Sequence, residues 1–297
     1  MIYYITDEDV RKNLDMKQCI DELRGAFISY GNKKSSADAR DRIFNNGMLF
    51  NTMPAYYGKY NLAGLKTYVA SKNGVRFMVI IFDVSDPEKV YIFDANTLGQ
   101  IRTGALSAMV TSLLIKKKNI NFTLIGSGFQ AETQLKAMST VYNFSNAYVY
   151  SRNYDHALEF SKKFNLNIKP VSNLSILKES DIITSVTDSV KPIFDYSMLP
   201  DHYHINLIGS NLPERREAAG DVMDNSDTVI AEHLEQSLKE SAEITEMNNK
   251  NKIIELKDFI INTDKYKTGR TVFKSMGIGL EDIAAGYIVL KNMKLIK

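Results

Sequence analysis

Phe122-Thr-Leu-Ile-Gly-Ser-Gly-Phe-Gln-Ala131 is the stretch on which the reading of this chain turns. A short apolar run breaks into Gly126-x-Gly128-x-x-Ala131 and then opens an amphipathic segment. A strand that delivers its chain to a glycine turn at a helix start is how a dinucleotide pyrophosphate is held. Gly126 permits the tight turn, Gly128 lets the backbone approach the phosphates, and Ala131 allows the helix to pack closely on the strand. The helix N-terminus adds free N–H groups and a favourable dipole. Gly126, Ser127, Gly128, Phe129 and Gln130 are therefore the expected cofactor contacts. The next strand, Ala147-Tyr-Val-Tyr150, runs into Ser151-Arg152-Asn153, with no acid before Asp155. An NAD site usually places Asp or Glu there for the ribose 2′-hydroxyl. Arg can instead pair bidentately with a 2′-phosphate, so NADP is preferred over NAD. The bland alternative is that Arg152 is a solvated loop cation.

Around this stretch the chain alternates. Strands are predicted at 122–125, 147–150, 168–171, 181–186, 204–208 and 228–231, with helices at 129–142, 154–164 and 173–179. That rhythm argues for a parallel sheet with helices on both faces. The region before it has another texture. Thr6 with Asp9 resembles a capping box, and Asp15 starts a helix whose stripe is Ile20, Leu23, Phe27 and Tyr30, closed by Gly31. Strands follow at 48–57, 62–70, 75–83 and 90–93 with no helix among them, so that sheet is predicted antiparallel. Helices at 103–117 and 279–293 complete the pattern, and loops are expected at 40–47 and 71–76. The predicted fold is α/β, with a Rossmann-type domain over 111–275. An α+β substrate and dimerisation domain spans 1–110, completed by 276–297. A crevice between two such domains is where a substrate is expected.

The 297 residues carry a formal charge of +2, with 44% hydrophobic and 24% charged residues. Such a balance points to neither nucleic acid nor a membrane surface. Apolar runs are too short to cross a bilayer and no signal peptide opens the chain, so a cytoplasmic protein is expected. One cysteine, Cys19, excludes an internal disulfide; it reads as a small core residue. Four His at 156, 202, 204 and 233 show no metal spacing; no metal is expected, and His202 and His204 read as structural. Glu232 to Lys252 reads as solvated helix and loop.

Candidate chemistry rests on cations. Alternation places Gly64, Lys66 and Tyr68 on one face of a strand. A desolvated Lys could relay protons or polarise an imine; pattern alone favours a solvent-facing Lys66. Arg102 opens the helix predicted at 103–117, where its guanidinium could fork onto a carboxylate or pair with a surface acid. Arg42 lies in a polar segment and alone says little.

Together these pieces resemble the ornithine cyclodeaminase and mu-crystallin family, which also includes archaeal-type alanine dehydrogenases and ketimine reductases. The resemblance runs nearly end to end, through Met53-Pro-Ala-Tyr56, Gly64-Leu-Lys66, Arg102-Thr-Gly-Ala105, Gly126-x-Gly128-x-Gln130-Ala131, Asp181-Ile-Ile-Thr184, Thr187-x-Ser189, His204-Ile-Asn-Leu-Ile-Gly209, Phe273-Lys-Ser-x-Gly277 and Asp282-Ile-Ala-Ala285. It implies a homodimer, a catalytic Lys66, and a substrate carboxylate held by Arg42 and Arg102 with Met53 alongside. It also implies cofactor contacts from Thr103, the glycine turn, Ser151, Arg152 and Asn153, with Thr187, Ile208, Gly209 and Ser210 along the nicotinamide. One departure is that Ala219 stands where family members carry an aspartate essential to cyclodeamination; Asp221, two residues on, is the candidate replacement. The activity so implied is NAD(P)-dependent amino-acid dehydrogenation or imine reduction on a small amino acid, keto acid or cyclic imine. Ornithine cyclodeaminase and a non-catalytic NADPH- or ligand-binding protein are the alternatives.

Overall fold

The computed structural model describes residues 1–266 and 268–296. The chain forms two units, one of Met1–Met109 with the chain from Gly277 onward, the other of Val110–Met276.

In the first unit, α1 (Asp7–Asn13) starts at Thr6 through a reciprocal cap. The Asp9 N–H donates to the Thr6 hydroxyl and the Thr6 N–H donates to the Asp9 carboxylate. α2 (Met16–Gly31) buries Cys19, Ile20, Leu23, Phe27 and Tyr30 along one stripe. The sheet contains β1 (Ile2–Ile5), β2 (Ser36–Ala37), β3 (Asp41–Asn45), β4 (Met48–Tyr57), β5 (Leu62–Ser71), β6 (Gly74–Asp83) and β7 (Val90–Asp94). Their order is β1-β7-β6-β5-β4-β2, with β3 also paired to β4. Every pairing is antiparallel except β1 with β7. α3 (Asn96–Leu114) follows β7. The C-terminal helix, Gly279–Asn292, is buried from Gly279 through Leu290 and lies on the sheet. Two glycines allow that approach: a Cβ on Gly279 would come within 2.2 Å of the Met53 carbonyl oxygen, and one on Gly286 within 2.5 Å of Ile81.

The second unit is a parallel sheet ordered β10-β9-β8-β11-β12-β15-β13-β14. Its strands are β8 (Asn119–Ile125), β9 (Asn143–Tyr150), β10 (Ile168–Val171), β11 (Ile182–Ser185), β12 (Tyr203–Leu207), β13 (Thr228–Ala231), β14 (Ile253–Glu255) and β15 (Arg270–Lys274). α4 (Phe129–Val141) joins β8 to β9, α5 (Tyr154–Lys162) joins β9 to β10, and α6 (Gly220–Asn225) precedes β13. β11, β12 and β13 are buried on both faces, which is why they read as unbroken apolar runs rather than alternations. The strand order reverses between β8 and β11, a switch point outside whose carboxyl ends ligands bind in open α/β sheets.

Several expectations fail, each for a stated reason. α3 begins at Asn96, not at 103, because Asp7 accepts from the Thr97 N–H; a cap from so far along the chain leaves no local signature. Arg102 thus sits inside a helix rather than at its start. The segment 40–47 is not a loop but contains β3, and 71–76 is the two-residue turn and flanks of the β5–β6 hairpin. β15 sits among the buried strands although its five residues carry Arg270 and Lys274. The stretch 232–252 is not solvated: Glu232, Glu240 and Glu243 are buried, and Glu232 accepts from the Ser275 hydroxyl and the Met276 N–H. His204 is buried and structural, its ring bonded to Thr271 and Asn206, but His202 is exposed.

Candidate active site

Lys66 is buried in the first unit, with only 4% of its surface exposed, which corrects the solvent-facing reading. Its Nζ donates to Asp282 Oδ1 at 3.1 Å and lies 5.3 Å from the Phe77 ring centroid. Burial, and secondly the neighbouring Arg102 charge, lower its pKa to about 8, with Asp282 acting in the opposite sense. Arg102 is equally buried. Its Nε donates to Asp282 Oδ1 at 3.3 Å and its Nη1 to Glu281 Oε2. Both acids belong to the first turn of the C-terminal helix, and the other Glu281 oxygen accepts from the Ile278 N–H at 3.1 Å. The guanidinium lies against Gly277, whose φ is +82° and whose Cβ, if present, would lie 3.0 Å from Arg102 Nη2. The segment that closes the first unit therefore clamps Arg102 and tethers Lys66 through one shared carboxylate.

Strand register extends this cluster. Paired residues share a sheet face, so Met53, Lys66, Val79 and Phe93 form one cross-strand row, and Arg42, Asn51, Tyr68 and Phe77 form the next. Met53 is buried in its row. Arg42 Nε donates to Asn51 Oδ1 at 3.0 Å. Asn51 is fully buried, and its Nδ2 donates to no acceptor among the described residues. A buried donor without a partner costs roughly 1–3 kcal/mol unless something accepts from it. The Nδ2 beside a guanidinium is thus a ready position for a carboxylate oxygen. Asn51 escapes a reading of the sequence, where it is one polar residue in an alternating strand. Only the pairing with Arg42 marks it.

The glycine turn fits a pyrophosphate. Gly126 has φ +112°, and a Cβ there would meet the Val186 carbonyl oxygen at 2.6 Å. Gly128, by contrast, has no atom within 4 Å of the place a Cβ would take, so its backbone stands open to a ligand. Gly128 is the N-cap of α4 and brings no side chain to cap it, so this helix end suits an anion. Ser127 and Gln130 are half-buried and Phe129 is exposed. Gly126→Ala is expected to raise the NADPH dissociation constant at least about tenfold, or ~1.4 kcal/mol, in a fluorescence titration. An unchanged constant would remove the turn from the cofactor site.

At the carboxyl ends of β11 and β12 a buried carboxylate, Glu217, gathers four donors. Its Oε1 accepts from Ser185 Oγ at 2.6 Å, Thr187 N at 2.7 Å and Thr187 Oγ1 at 3.1 Å, and its Oε2 from Gly209 N at 2.7 Å. Burial raises the Glu217 pKa; Lys274 and these hydrogen bonds oppose it. Glu217 thereby fixes Thr187 and Gly209, both candidate cofactor contacts, and carries no mark of its own in the sequence. Gly209 is required by packing, since a Cβ would lie 2.0 Å from the Thr187 carbonyl oxygen. Ile208 donates its N–H to the Ser185 carbonyl, and Ser210 Oγ accepts from the Leu212 N–H.

At the end of β9, Ser151 is half-buried and Arg152 exposed. Asn153 caps α5, accepting from the Asp155 N–H, so its side-chain oxygen is already engaged. A cavity of about 550 Å³ adjoins this edge, lined by Tyr154, Pro170, Val171, Ser172 and Asn173 among others, with no acid in its lining. Thr103 belongs to the first unit, and its hydroxyl donates to the Gly99 carbonyl of its own helix at 2.7 Å. Asp221 is exposed on α6 and accepts from the Tyr196 N–H at 3.3 Å. Ala219 stays pinned as the α6 N-cap, its N–H bonded to the Phe194 carbonyl.

A parallel sheet with a glycine turn at its switch point, joined in one chain to an antiparallel unit carrying a buried lysine, defines an α/β protein of the dinucleotide-binding class. The chain belongs to the ornithine cyclodeaminase/mu-crystallin family, whose model matches residues 3–295. Ketimine reductase mu-crystallin of Macropus fuliginosus is 26% identical over 213 residues, 71% of this chain and 67% of that protein. Alanine dehydrogenase of Archaeoglobus fulgidus is 26% identical over 312 residues, covering 97% of this chain and 94% of the relative. The structure of Thermococcus litoralis Delta(1)-pyrroline-2-carboxylate reductase, in complex with NADH and L-proline, superposes with a TM-score of 0.88 at 23% identity, over 99% of this chain and 98% of that one.

Proposed function

We propose that this chain is an NAD(P)-dependent oxidoreductase that reduces the imine of a small α-keto or cyclic imino acid to the amino acid. One observation carries the reading: a buried lysine with a pKa near 8 shares a carboxylate with a clamped arginine, one row from the Arg42–Asn51 pair. Glu281 and Asp282 balance Lys66 and Arg102. The Arg42 guanidinium with the Asn51 Nδ2 beside it is a donor pair that suits a carboxylate. Arg42, Asn51 and Arg102 would orient it, with Met53 beneath. Lys66 Nζ gives a proton to the imine nitrogen as the carbon is reduced. The nicotinamide, when bound, supplies the hydride.

NADPH is the preferred donor in this reading. Arg152 and Ser151 at the end of β9, with no carboxylate beside them, suit a 2′-phosphate. A homodimer is the natural cover for Ile43, Phe50 and Val69, an exposed apolar row on the sheet face opposite Lys66; light scattering should give twice the chain mass. No helix among the described residues is long and apolar enough to cross a membrane.

The direct experiment follows NADPH loss at 340 nm with α-keto acids plus ammonia and with cyclic imines. Net oxidation of NADPH is expected. Ammonia release from ornithine with no net change at 340 nm would instead establish cyclodeamination, which Ala219 disfavours by removing the general base. Tight NADPH binding without turnover across the panel would leave a binding protein.

A further inference from the structure

The row beside Lys66 has two chemically different ends. Arg42 and Asn51 occupy one; Tyr68 and Phe77 occupy the other, their rings 4.9 Å apart and tilted at 43°. Neither ring belongs to the buried core. The Tyr68 hydroxyl makes no hydrogen bond among the described residues, and Phe77 faces Lys66 Nζ at 5.3 Å. The C-terminal helix does not cover them within this unit. Its first turn meets the Met53–Lys66 row, and Gly286 continues in the other direction over Ile81 and Phe93. The acids that face Lys66, Glu281 and Asp282, are committed to Arg102 and Lys66. Arg76, next to Phe77, points to the opposite face and pairs with Asp94. Among the described residues of this unit, the aromatic end therefore offers no uncommitted cation to a second carboxylate.

We propose that Tyr68 and Phe77 are specificity-determining residues: they form an apolar wall beside Lys66 that selects α-imino acids whose remaining atoms are uncharged and flat, a ring or an aryl group. With its carboxylate on Arg42 and Asn51, a substrate directs those atoms along the row onto the two rings. Aromatic faces favour flat apolar groups by offset stacking or edge contact, whereas a carboxylate placed against the negative ring faces loses water and gains no counter-ion. This inference rests on the carboxylate-binding reading above.

The test compares wild type with Tyr68→Ala, Phe77→Ala, the double variant and Tyr68→Phe, each saturated with NADPH. Neither side chain is buried, so thermal melting should confirm that all fold. kcat/KM is measured for the imines of phenylpyruvate, pyruvate and oxaloacetate formed in ammonia. Binding of pyrrole-2-carboxylate and succinate is measured by calorimetry. Wild type should favour phenylpyruvate over oxaloacetate and bind pyrrole-2-carboxylate over succinate. In the double variant, the phenylpyruvate-to-pyruvate ratio and the affinity for pyrrole-2-carboxylate should each fall about tenfold, and Tyr68→Phe should keep both. An unchanged ratio or affinity in the double variant, a wild-type preference for the dicarboxylates, or no binding of pyrrole-2-carboxylate would overturn the proposal. Failure of the functional reading looks different: no imine is reduced, yet pyrrole-2-carboxylate affinity still depends on the two rings.

Discussion

Lys66→Ala is expected to lower the turnover of imine reduction by about 10²–10⁴-fold, the range that general acid–base groups supply. Retention of more than about a tenth of wild-type turnover would remove Lys66 from that role. The wild-type pH profile carries the same signature. Because burial and Arg102 bring the Lys66 pKa down to about 8, the ammonium that donates the proton is present below that value and lost above it. kcat/KM for reduction should fall as pH rises through 8, and amino-acid oxidation, which needs the free amine, should rise over the same interval. Stability moves with it. From about 8 up to 10.5 the unfolded lysine holds a proton that the folded one has released, so unfolding becomes harder as pH increases in that window. Urea titrations at the two ends of the window should differ in wild type, and Lys66→Met should lack that difference. A profile without a transition near 8 would assign the proton to another group.

Glu281→Ala should cost roughly 3–5 kcal/mol of unfolding free energy, because Arg102 then stays buried with part of its charge uncompensated. That is a large fraction of the ~5–15 kcal/mol by which domains are stable. Two contacts go at once, the Arg102 ion pair and the acceptor for the Ile278 N–H that begins the C-terminal helix. Asp282→Asn separates function from stability. It keeps an oxygen for Lys66 and Arg102 but removes the negative charge that raises the Lys66 pKa, so the activity profile should move to lower pH. Denaturant unfolding measures the first effect and initial rates the second. A loss below about 1 kcal/mol for Glu281→Ala would mean that Arg102 finds water or another acid.

Local signals carry much of this architecture. The run 122–131 shows strand, turn and helix start because each step has its own chemistry: apolar residues, then glycines, then an uncapped first turn. The antiparallel strands 48–57 and 62–71 are legible from their turns and alternation. Lys66 misleads because a strand pattern says which residues share a face, not what covers it. Its cover is a helix more than two hundred positions later, whose Asp282 provides the partner. Arg102 reads as an anion binder, and the two acids that clamp it, 180 and 179 positions later, leave no local trace. Asn51 and Glu217 stay hidden for a similar reason. Each matters only through partners on other strands, Arg42 for one and the ends of β11 and β12 for the other. Contacts of that kind leave no periodicity. Ala219 is the opposite case, visible as a departure from a motif before any geometry, and Asp221, two residues on, is an exposed helix residue.

The first unit takes its closing helix from the end of the polypeptide, whereas the second is contiguous. A cut between residues 276 and 277 would therefore divide the first unit and leave the second whole. It would part Lys66 and Arg102 from both of the acids that compensate them, so the two buried cations depend on an unbroken connection through the whole of the other unit.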